Sequence, residues 1–389
     1  MEIDWKKSGS TRVEETDDVF GEGNAALAEA LRRVSGSDNP RVMLVADANV
    51  VSRTESLGSR IGRYVKEHGI ELAAAPVVIS CGEKAKFEDF FSYRRVVMAA
   101  VQARLAKDNV LLALGGGSLF DVAGFAASQV RGGLRYVKIP TTISAMVDGA
   151  YAQTAFFNFG SAKDSFGAFA PADEVIVDAR FADTVMDGVW RAGFAEIMRI
   201  GAARDAKLLK AAVKSIPEIR ERAPGVAASL IAPALKTRLK KGPVSVGLWC
   251  AHKLQPMSSY KLPHGYSVAI GTAMAARYSA MRGLIDSDKA EEIVSAFRDI
   301  GSLDSVEHSQ HVIAHAQKVA DGIRIWRLAN PGPIEWFSDI GKTVMEDDVD
   351  IDLAAAAVHS FAISRRPGPQ QMQQMDDPAP VESAEGPEQ

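Results

Sequence analysis

The chain is poor in cysteine, in aromatic residues and in net charge. Its 389 residues include only two cysteines, Cys81 and Cys250, and 7% aromatic residues. Two cysteines are too few for a disulfide framework or a cysteine-based zinc site. A bound metal would therefore have to be held by carboxylates and by some of the seven histidines.

The charge balance and the hydropathy pattern exclude two classes of partner. The chain has 45 basic and 49 acidic residues, so there is no basic excess to bind nucleic acid through its phosphates. No segment approaches the roughly 18 uninterrupted apolar residues of a membrane span. The polar N-terminus lacks the apolar core of a signal peptide. We therefore expect a cytoplasmic protein that binds neither nucleic acid nor a membrane.

The periodicity of apolar residues divides the chain into two domains. Strand patterns at 41–46, 76–80, 109–114, 134–139 and 174–178 alternate with helical patterns, which is typical of a parallel sheet covered by helices. Helical patterns dominate from about residue 181. We predict an α/β, Rossmann-like nucleotide-binding domain at 19–180 and an all-α domain at 181–365, with a ligand cleft between them. Residues 1–18 and 366–389 have the composition of disordered ends.

Polar or glycine-rich residues follow each of four predicted strands. Gly115-Gly116-Gly117 opens a helix and could cradle a pyrophosphate, although a tight turn alone would also use glycine. Asp47 and Asn49 suit a ribose but also a simple Asx turn. The charged run 82–86 could bind a ligand or form a solvated loop. Thr141 and Thr142 place two hydroxyls at the end of a fourth strand.

Three further groups of residues favour a metal or substrate site. Asp148 lies in an apolar stretch, where a carboxylate needs a partner. Glu196, His252 and His264 match a common catalytic zinc set, although their wide spacing also allows three separate structural residues. A rival set, His308, His311 and His315, shares one helical face, which is equally typical of a solvated helix.

Taken in order, these motifs resemble one family. The run GGGSLFDVAGFAAS, RGG, IPTT, VD, FGAF, DARFADT, GFAEIMRIGA, AH and LPHGYSVAIG, over roughly residues 40–300, is similar to the sugar phosphate cyclases of the dehydroquinate synthase superfamily. The resemblance implies an NAD-binding domain at 19–180, a helical metal- and substrate-binding domain at 181–365, and a homodimer. It also implies a small phosphorylated sugar as substrate, NAD as cofactor, and Zn²⁺ or Co²⁺.

The resemblance assigns roles to individual residues. The implied metal ligands are Glu196, His252 and His264. The implied catalytic residues are Asp148, Lys163, Arg199, Lys236 and Arg131, the last reaching toward the neighbouring subunit's phosphate. The implied NAD contacts are Asp47, Asn49, Glu83, Lys86, Gly115, Gly116, Asp121, Thr141, Thr142, Phe181 and Thr184.

Departures from the family pattern bear on the substrate. Where dehydroquinate synthases have a second histidine four residues after the metal histidine, this chain has Pro256, as in cyclases of the 2-epi-5-epi-valiolone synthase kind that take sedoheptulose 7-phosphate. Ser245 and Trp249 replace an arginine and an asparagine. Thr154 replaces a lysine and Asp164 an asparagine, and Arg199 stands where the family has lysine.

The resemblance predicts a carbon–oxygen lyase that makes a cyclitol ketone by transient oxidation, phosphate elimination and intramolecular aldol closure. Other members of the family, a 3-dehydroquinate synthase or a 2-deoxy-scyllo-inosose type, are alternatives. From other classes, a metal-dependent alcohol dehydrogenase and a non-catalytic NAD-binding homologue stay open.

Overall fold

The alternating pattern of the first half forms a parallel sheet in the computed structural model, which describes residues 8–87, 89–303 and 314–363. The strands are β1 (Arg12–Thr16), β2 (Arg41–Asp47), β3 (Glu71–Leu72), β4 (Val77–Ile79), β5 (Val110–Gly115), β6 (Arg135–Pro140), β7 (Thr154–Phe159), β8 (Ala162–Phe169), β9 (Glu174–Asp178), β10 (Ile334–Asp339) and β11 (Lys342–Glu346). Seven of them form one sheet in the order β1-β9-β6-β5-β2-β3, with β4 also beside β2. All of these pairings are parallel.

The central strands read as unbroken apolar runs because both faces of the sheet are covered. Every residue of β5 and of β9 is buried, as are six of the seven residues of β2. Since the strands are parallel, their carboxyl ends meet at one edge of the sheet. Ligands of such sheets bind at this edge.

Helices surround the sheet and make up most of the second half. They are α1 (Ala26–Ser35), α2 (Ala48–Arg53), α3 (Leu57–Glu67), α4 (Phe91–Gln102), α5 (Gly117–Gln129), α6 (Ile143–Val147), α7 (Asp187–Arg204), α8 (Ala206–Lys214), α9 (Ile216–Glu221), α10 (Val226–Lys241), α11 (Leu248–Met257), α12 (His264–Met281), α13 (Ser287–Asp299), α14 (Ala316–Ala320), α15 (Gly322–Ala329) and α16 (Ile351–Ile363). In the parts that are described, none is both long and apolar enough to cross a membrane.

Two antiparallel hairpins interrupt this α/β pattern. β7 pairs with β8, and β10 pairs with β11. The second hairpin corrects the prediction of an all-α C-terminal half. Trp336 of β10 is fully buried and stacks on Tyr278 of α12, with ring centroids 4.0 Å apart. The boundary near residue 180 stays a prediction; β9 ends at Asp178 and α7 begins at Asp187.

The structure corrects the prediction that residues 1–18 are disordered, at least for 12–16, which form β1. β1 is an edge strand beside β9, so only one neighbour shields it and its side chains are allowed to stay polar. Arg180 lies in the 3₁₀ turn after β9, and its Nε is 2.7 Å from Oδ1 of Asp17, the residue that follows β1. The polar composition of β1 therefore explains why the sequence did not predict this edge strand. The predicted disordered tail, 366–389, lies outside the described residues.

Candidate active site

Glycines shape the turn between β5 and α5. A Cβ atom at Gly116 would lie 3.1 Å from the Thr142 side chain, whereas a Cβ at Gly117 would meet nothing within 4 Å. The amino end of the 13-residue helix α5 therefore faces open space. Backbone N–H groups at such an end attract phosphate, so this turn fits the pyrophosphate of a dinucleotide.

The other predicted NAD contacts follow neighbouring strands at the same edge of the sheet. Asp47 caps α2 by accepting from Asn49 N at 2.9 Å, which confirms the Asx turn. The Thr142 hydroxyl caps α6 by accepting from Ala145 N. Thr184 donates to the carbonyl of Phe181 at 2.8 Å in the 3₁₀ turn after β9.

The charged run after β4 forms a buried ion cluster, so the solvated-loop interpretation of 82–86 is wrong. The side chain of Lys86 is only 4% exposed, and its Nζ lies 2.6 Å from Asp121 and 2.7 Å from Asp164. Lys163 Nζ lies 3.1 Å from Glu83. Three carboxylates thus surround two ammonium groups.

The charges in this cluster fix one another's protonation. Burial disfavours the charged forms, but the lysine charges prevail and lower the pKa of Glu83 to about 2. They also hold the pKa of Asp164 well below its usual range, against the same effect of burial. Conversely, the three carboxylates keep the pKa of Lys86 above its usual value despite its burial. Glu83, Asp164 and Lys86 are therefore charged at neutral pH.

Asp164 links this cluster to the predicted metal site. Its backbone is left-handed, with φ of +50°, and its N–H donates to Asn158 Oδ1 at 2.9 Å. Its Oδ2 lies 3.8 Å from Nδ1 of His252. The Asn158 amide also donates to Glu83 at 3.0 Å, so a short turn positions both carboxylates.

A second cluster pairs two carboxylates with two guanidinium groups. Arg199, fully buried in α7, donates to Glu196 in the same helix and to Asp148 Oδ2 at 3.2 Å. Arg238 of α10 donates to Asp148 Oδ1 at 2.5 Å. Asp148 is thus held through both oxygens, and the prediction of a partner for this carboxylate is confirmed.

Arg238 is not among the residues that the family resemblance implies, which include Lys236 instead. Lys236 is exposed on α10, whereas Arg238 is only partly exposed and reaches the cluster. The two residues are separated by about 200° around the helix, so both cannot face one site. The apolar residues Ala234 and Leu235 lie four and three positions before Arg238, which puts them on its side of the helix, and this spacing is the signal that could have distinguished the two residues.

His252 and His264 approach the clusters from α11 and from the start of α12. Burial lowers the pKa of His252 to about 3, against the nearby charge of Asp164. Burial likewise lowers the pKa of His264 to about 4. Both imidazoles are therefore neutral at pH 7, as metal ligation requires. Gln255 Oε1 lies 3.3 Å from His264 Nδ1, and its buried Nε2 has no partner among the described residues.

Glu196 and the two histidines fit a divalent metal ion by the chemistry of their donor atoms. Glu196 is turned onto Arg199, however, and no three metal-binding side chains in 8–87, 89–303 and 314–363 already share one point. Of the rival histidines, His315 precedes α14, while His308 and His311 lie outside the described residues.

Among the positions that depart from the family pattern, Ser245 and Trp249 have structural partners. The Ser245 hydroxyl and N–H donate to Glu335 at 2.8 and 2.6 Å. Trp249 packs against Trp336, and Pro256 lies within α11. Thr154 begins β7.

Arg131 stands apart from both clusters. It is exposed in a turn with left-handed φ of +55°, and its Nε donates to the carbonyl of Leu105.

The chain resembles known proteins along most of its length. Residues 76–192 match the family model described as 3-dehydroquinate synthase N-terminal, and 193–320 match 3-dehydroquinate synthase C-terminal. A 3-dehydroquinate synthase of Agrobacterium fabrum is 30% identical over 77% of this chain and 81% of its own.

Solved structures share the fold. A 2-epi-5-epi-valiolone synthase from Streptomyces hygroscopicus with NAD⁺ and Zn²⁺ bound has a TM-score of 0.81 and 24% identity, covering 93% of this chain and 99% of that one. A 2-deoxy-scyllo-inosose synthase complexed with carbaglucose-6-phosphate, NAD⁺ and Co²⁺ has a TM-score of 0.72 and 14% identity, covering 90% and 96%.

Proposed function

The chain belongs to the 3-dehydroquinate synthase family of sugar phosphate cyclases, and on that premise we propose that it converts a phosphorylated ketose to a cyclitol ketone with loss of phosphate. The observation that carries this proposal is that His252 and His264 lie near charged groups of the two ion clusters, with Asp164 and Lys163 acting on both histidines and Arg199 on His264. Pro256 in place of a second histidine favours sedoheptulose 7-phosphate as the substrate.

The residues present fit both cofactors of the related cyclases. Gly115, Gly116 and the open amino end of α5 would hold the pyrophosphate of NAD. Glu196, His252 and His264 would hold Zn²⁺ or Co²⁺. When bound, NAD⁺ supplies a reversible hydride acceptor and the divalent ion supplies Lewis acidity toward substrate hydroxyls.

The chain's own residues would orient the sugar. Asp148, fixed through both oxygens, offers carboxylate lone pairs to hydroxyls, and Arg238 offers the N–H groups that Asp148 does not use. The Lys163 ammonium is fixed by Glu83 at 3.1 Å and borders the cavity beside His252. Because these groups are already paired, little reorganisation is needed when the substrate binds.

A substrate screen tests this function. Purified protein with NAD and Zn²⁺ or Co²⁺ should release phosphate from sedoheptulose 7-phosphate and form a cyclitol ketone, without net accumulation of NADH. A hexose phosphate and a heptulosonate phosphate are run in parallel. Phosphate release from none of the three would overturn the proposal, and net NADH production from an alcohol would indicate a dehydrogenase.

3-Dehydroquinate synthase is the second candidate, favoured by the 30% identity to a curated member. Selective turnover of the heptulosonate phosphate would establish it. The site argues against this second candidate, because Ser245 and Trp249 replace an arginine and an asparagine of the dehydroquinate synthase sequence pattern. Ser245 is bound to Glu335, and a carboxylate-bearing substrate would lack those two partners.

The chain is also proposed to form a homodimer through an aromatic surface. Phe91 of α4 is 64% exposed, and Phe159, Phe166 and Phe169 of the β7–β8 hairpin are 41 to 46% exposed. A monomer rarely leaves such a patch in water, and a second copy would cover it. Light scattering should give twice the chain mass for the wild type and a smaller mass for Phe166→Glu. A monomeric wild type at micromolar concentration would contradict the dimer.

A further inference from the structure

Gln255 of α11 is a buried amide that faces one of the predicted metal ligands. The residue is fully buried, and its Oε1 lies 3.3 Å from Nδ1 of His264. The other half of the amide, Nε2, has no partner among the residues that the structure describes. A buried amide costs free energy unless it is hydrogen-bonded. Packing alone does not explain this glutamine, because an apolar side chain of similar size would fill the same space at a lower cost.

The turn between α11 and α12 holds the two side chains beside each other. The Ser258 hydroxyl donates to the carbonyl of Gln255 at 2.8 Å. The same hydroxyl accepts from the N–H of Leu262 at 3.1 Å, two residues before His264. The N–H of Tyr260 also donates to the Gln255 carbonyl, at 2.7 Å. Three hydrogen bonds thus tie the end of α11 to the segment that leads into α12.

The start of α12 fixes the direction from which the imidazole approaches. Pro263 precedes the helix with φ of −59°, the value to which its ring confines it. Its carbonyl accepts from both the N–H and the hydroxyl of Ser267, at 3.1 and 3.2 Å. His264 is therefore the first residue of a regular helix of 18 residues. Gln255 and His264 thus meet from two helices whose backbones are fixed.

The other predicted histidine ligand has a different neighbour. Asp164 Oδ2 lies 3.8 Å from Nδ1 of His252, which is beyond hydrogen-bond distance. His264 instead meets an uncharged amide within hydrogen-bond distance. Such an amide can orient the ring without adding a charge to the surroundings of the metal ion.

The amide oxygen selects one form of the imidazole. A neutral imidazole carries its proton on one nitrogen and a lone pair on the other, and the hydrogen bond of one nitrogen sets the state of both. An amide oxygen can only accept, so Oε1 of Gln255 requires the proton on Nδ1 of His264. The lone pair is then on Nε2, where it is available to a metal ion.

We propose that Gln255 is a positioning residue that holds His264 in its Nδ1–H tautomer, so that Nε2 is ready to ligate the metal ion. This inference rests on the proposed function for the role of His264 as a metal ligand. It gives the half-satisfied buried amide a purpose that packing does not supply.

The tautomer can be measured in the full chain without metal. Long-range ¹H–¹⁵N spectra of protein labelled with ¹⁵N-histidine should show the Nδ1–H pattern for the signals that disappear in His264→Ala. Gln255→Met should lose this pattern, whereas Gln255→Glu retains an acceptor oxygen and should keep it. An Nε2–H pattern in the wild type would mean that the amide donates to Nδ1, and would overturn the proposal.

Metal affinity and stability together separate positioning from a merely structural role. Titration with Co²⁺, followed in the visible spectrum, should show binding about 10- to 100-fold weaker in Gln255→Met, and Gln255→Glu should restore most of it. The urea midpoint of metal-free Gln255→Met should equal or exceed that of the wild type, because methionine fills the space without an unpaired N–H. Thr272→Val is the matched control. It removes a buried hydroxyl of α12 that donates to the carbonyl of Val268, and it should bind Co²⁺ as the wild type does.

The outcomes distinguish the role of Gln255 from the proposed function. Unchanged Co²⁺ affinity in Gln255→Met would overturn the positioning role. A loss of affinity that comes with a lowered urea midpoint and without rescue by Gln255→Glu would also overturn it. If no sugar phosphate is turned over, the proposed function fails, while the tautomer and the Co²⁺ titration still decide on Gln255.

Discussion

Arg238 Nε lies 2.5 Å from one oxygen of Asp148, and Arg199 Nη2 lies 3.2 Å from the other. Two helices, α7 and α10, thus converge on one carboxylate at the end of α6. We expect Arg238→Gln to lower kcat/KM by about 10- to 100-fold, because a charge-assisted hydrogen bond that orients Asp148 is lost. Steady-state kinetics with the substrate identified by the screen measure this effect.

Lys236→Gln is the matched control for that variant. It lies on the same helix and also removes one positive charge, but its side chain is exposed. Its kcat/KM should stay within about two-fold of the wild type. The reverse order of effects would restore the assignment that follows from family resemblance alone.

The difference between these two residues shows what the sequence could and could not predict. The strands β2, β5 and β9 could be predicted because burial on both faces leaves apolar runs, and β6 because its run is interrupted only by Lys138. The edge strand β1 and the helix around Pro256 could not, because their side-chain pattern is polar or carries a helix breaker.

The site divides in the same way. Glycine turns and polar residues that directly follow strands can be recognised in the sequence. The predicted NAD contacts therefore lie at the carboxyl ends of the strands. Partners distant in the sequence depend on tertiary packing, within the first half for Lys86 with Asp164 and between the two halves for Asp148 with Arg238. No local pattern encodes that packing.

The buried cluster predicts a large effect on stability. Lys86→Met would leave Glu83, Asp121 and Asp164 with only Lys163 as a counter-charge. We expect a loss of about 3–5 kcal/mol in the free energy of unfolding, the usual cost of breaking a buried ion pair. Urea denaturation followed by circular dichroism measures it. Lys84→Met, two residues away and exposed, should change stability by less than about 0.5 kcal/mol. Equal effects of the two variants would contradict the central position of Lys86.

Metal binding distinguishes the two sets of histidines. His264→Ala removes a half-buried, neutral imidazole, and we expect it to weaken Co²⁺ binding by about 100-fold or more, since loss of groups that merely support a ligand costs 10- to 100-fold. The visible spectrum of the Co²⁺-loaded protein and its metal content after dialysis are the measurements. His315→Ala, from the rival set, should retain both. Loss of metal from His315→Ala with retention by His264→Ala would move the site to that set.

Lys138 predicts a rise in stability at alkaline pH. This residue of β6 is 3% exposed. Its Nζ donates to the carbonyl of Ala150 at 3.0 Å and lies 5.3 Å from the ring centroids of both Phe120 and Tyr136. Burial lowers the pKa of Lys138 to about 8, against the opposing charge of Asp121. The ammonium is therefore less favourable in the folded protein than in the unfolded chain.

The direction of the pH effect follows from this lowered pKa. Between pH 8 and the usual lysine pKa of 10.5, the unfolded chain retains a proton that the folded protein has released. The contribution of Lys138 to the free energy of unfolding should therefore rise through this window by about 3 kcal/mol, and stay constant below it. Urea denaturation at several pH values, compared between the wild type and Lys138→Met, isolates this contribution from other groups that titrate there. Lys138→Met should lack the rise, and parallel curves for the two proteins would show that Lys138 titrates alike in the folded and unfolded states.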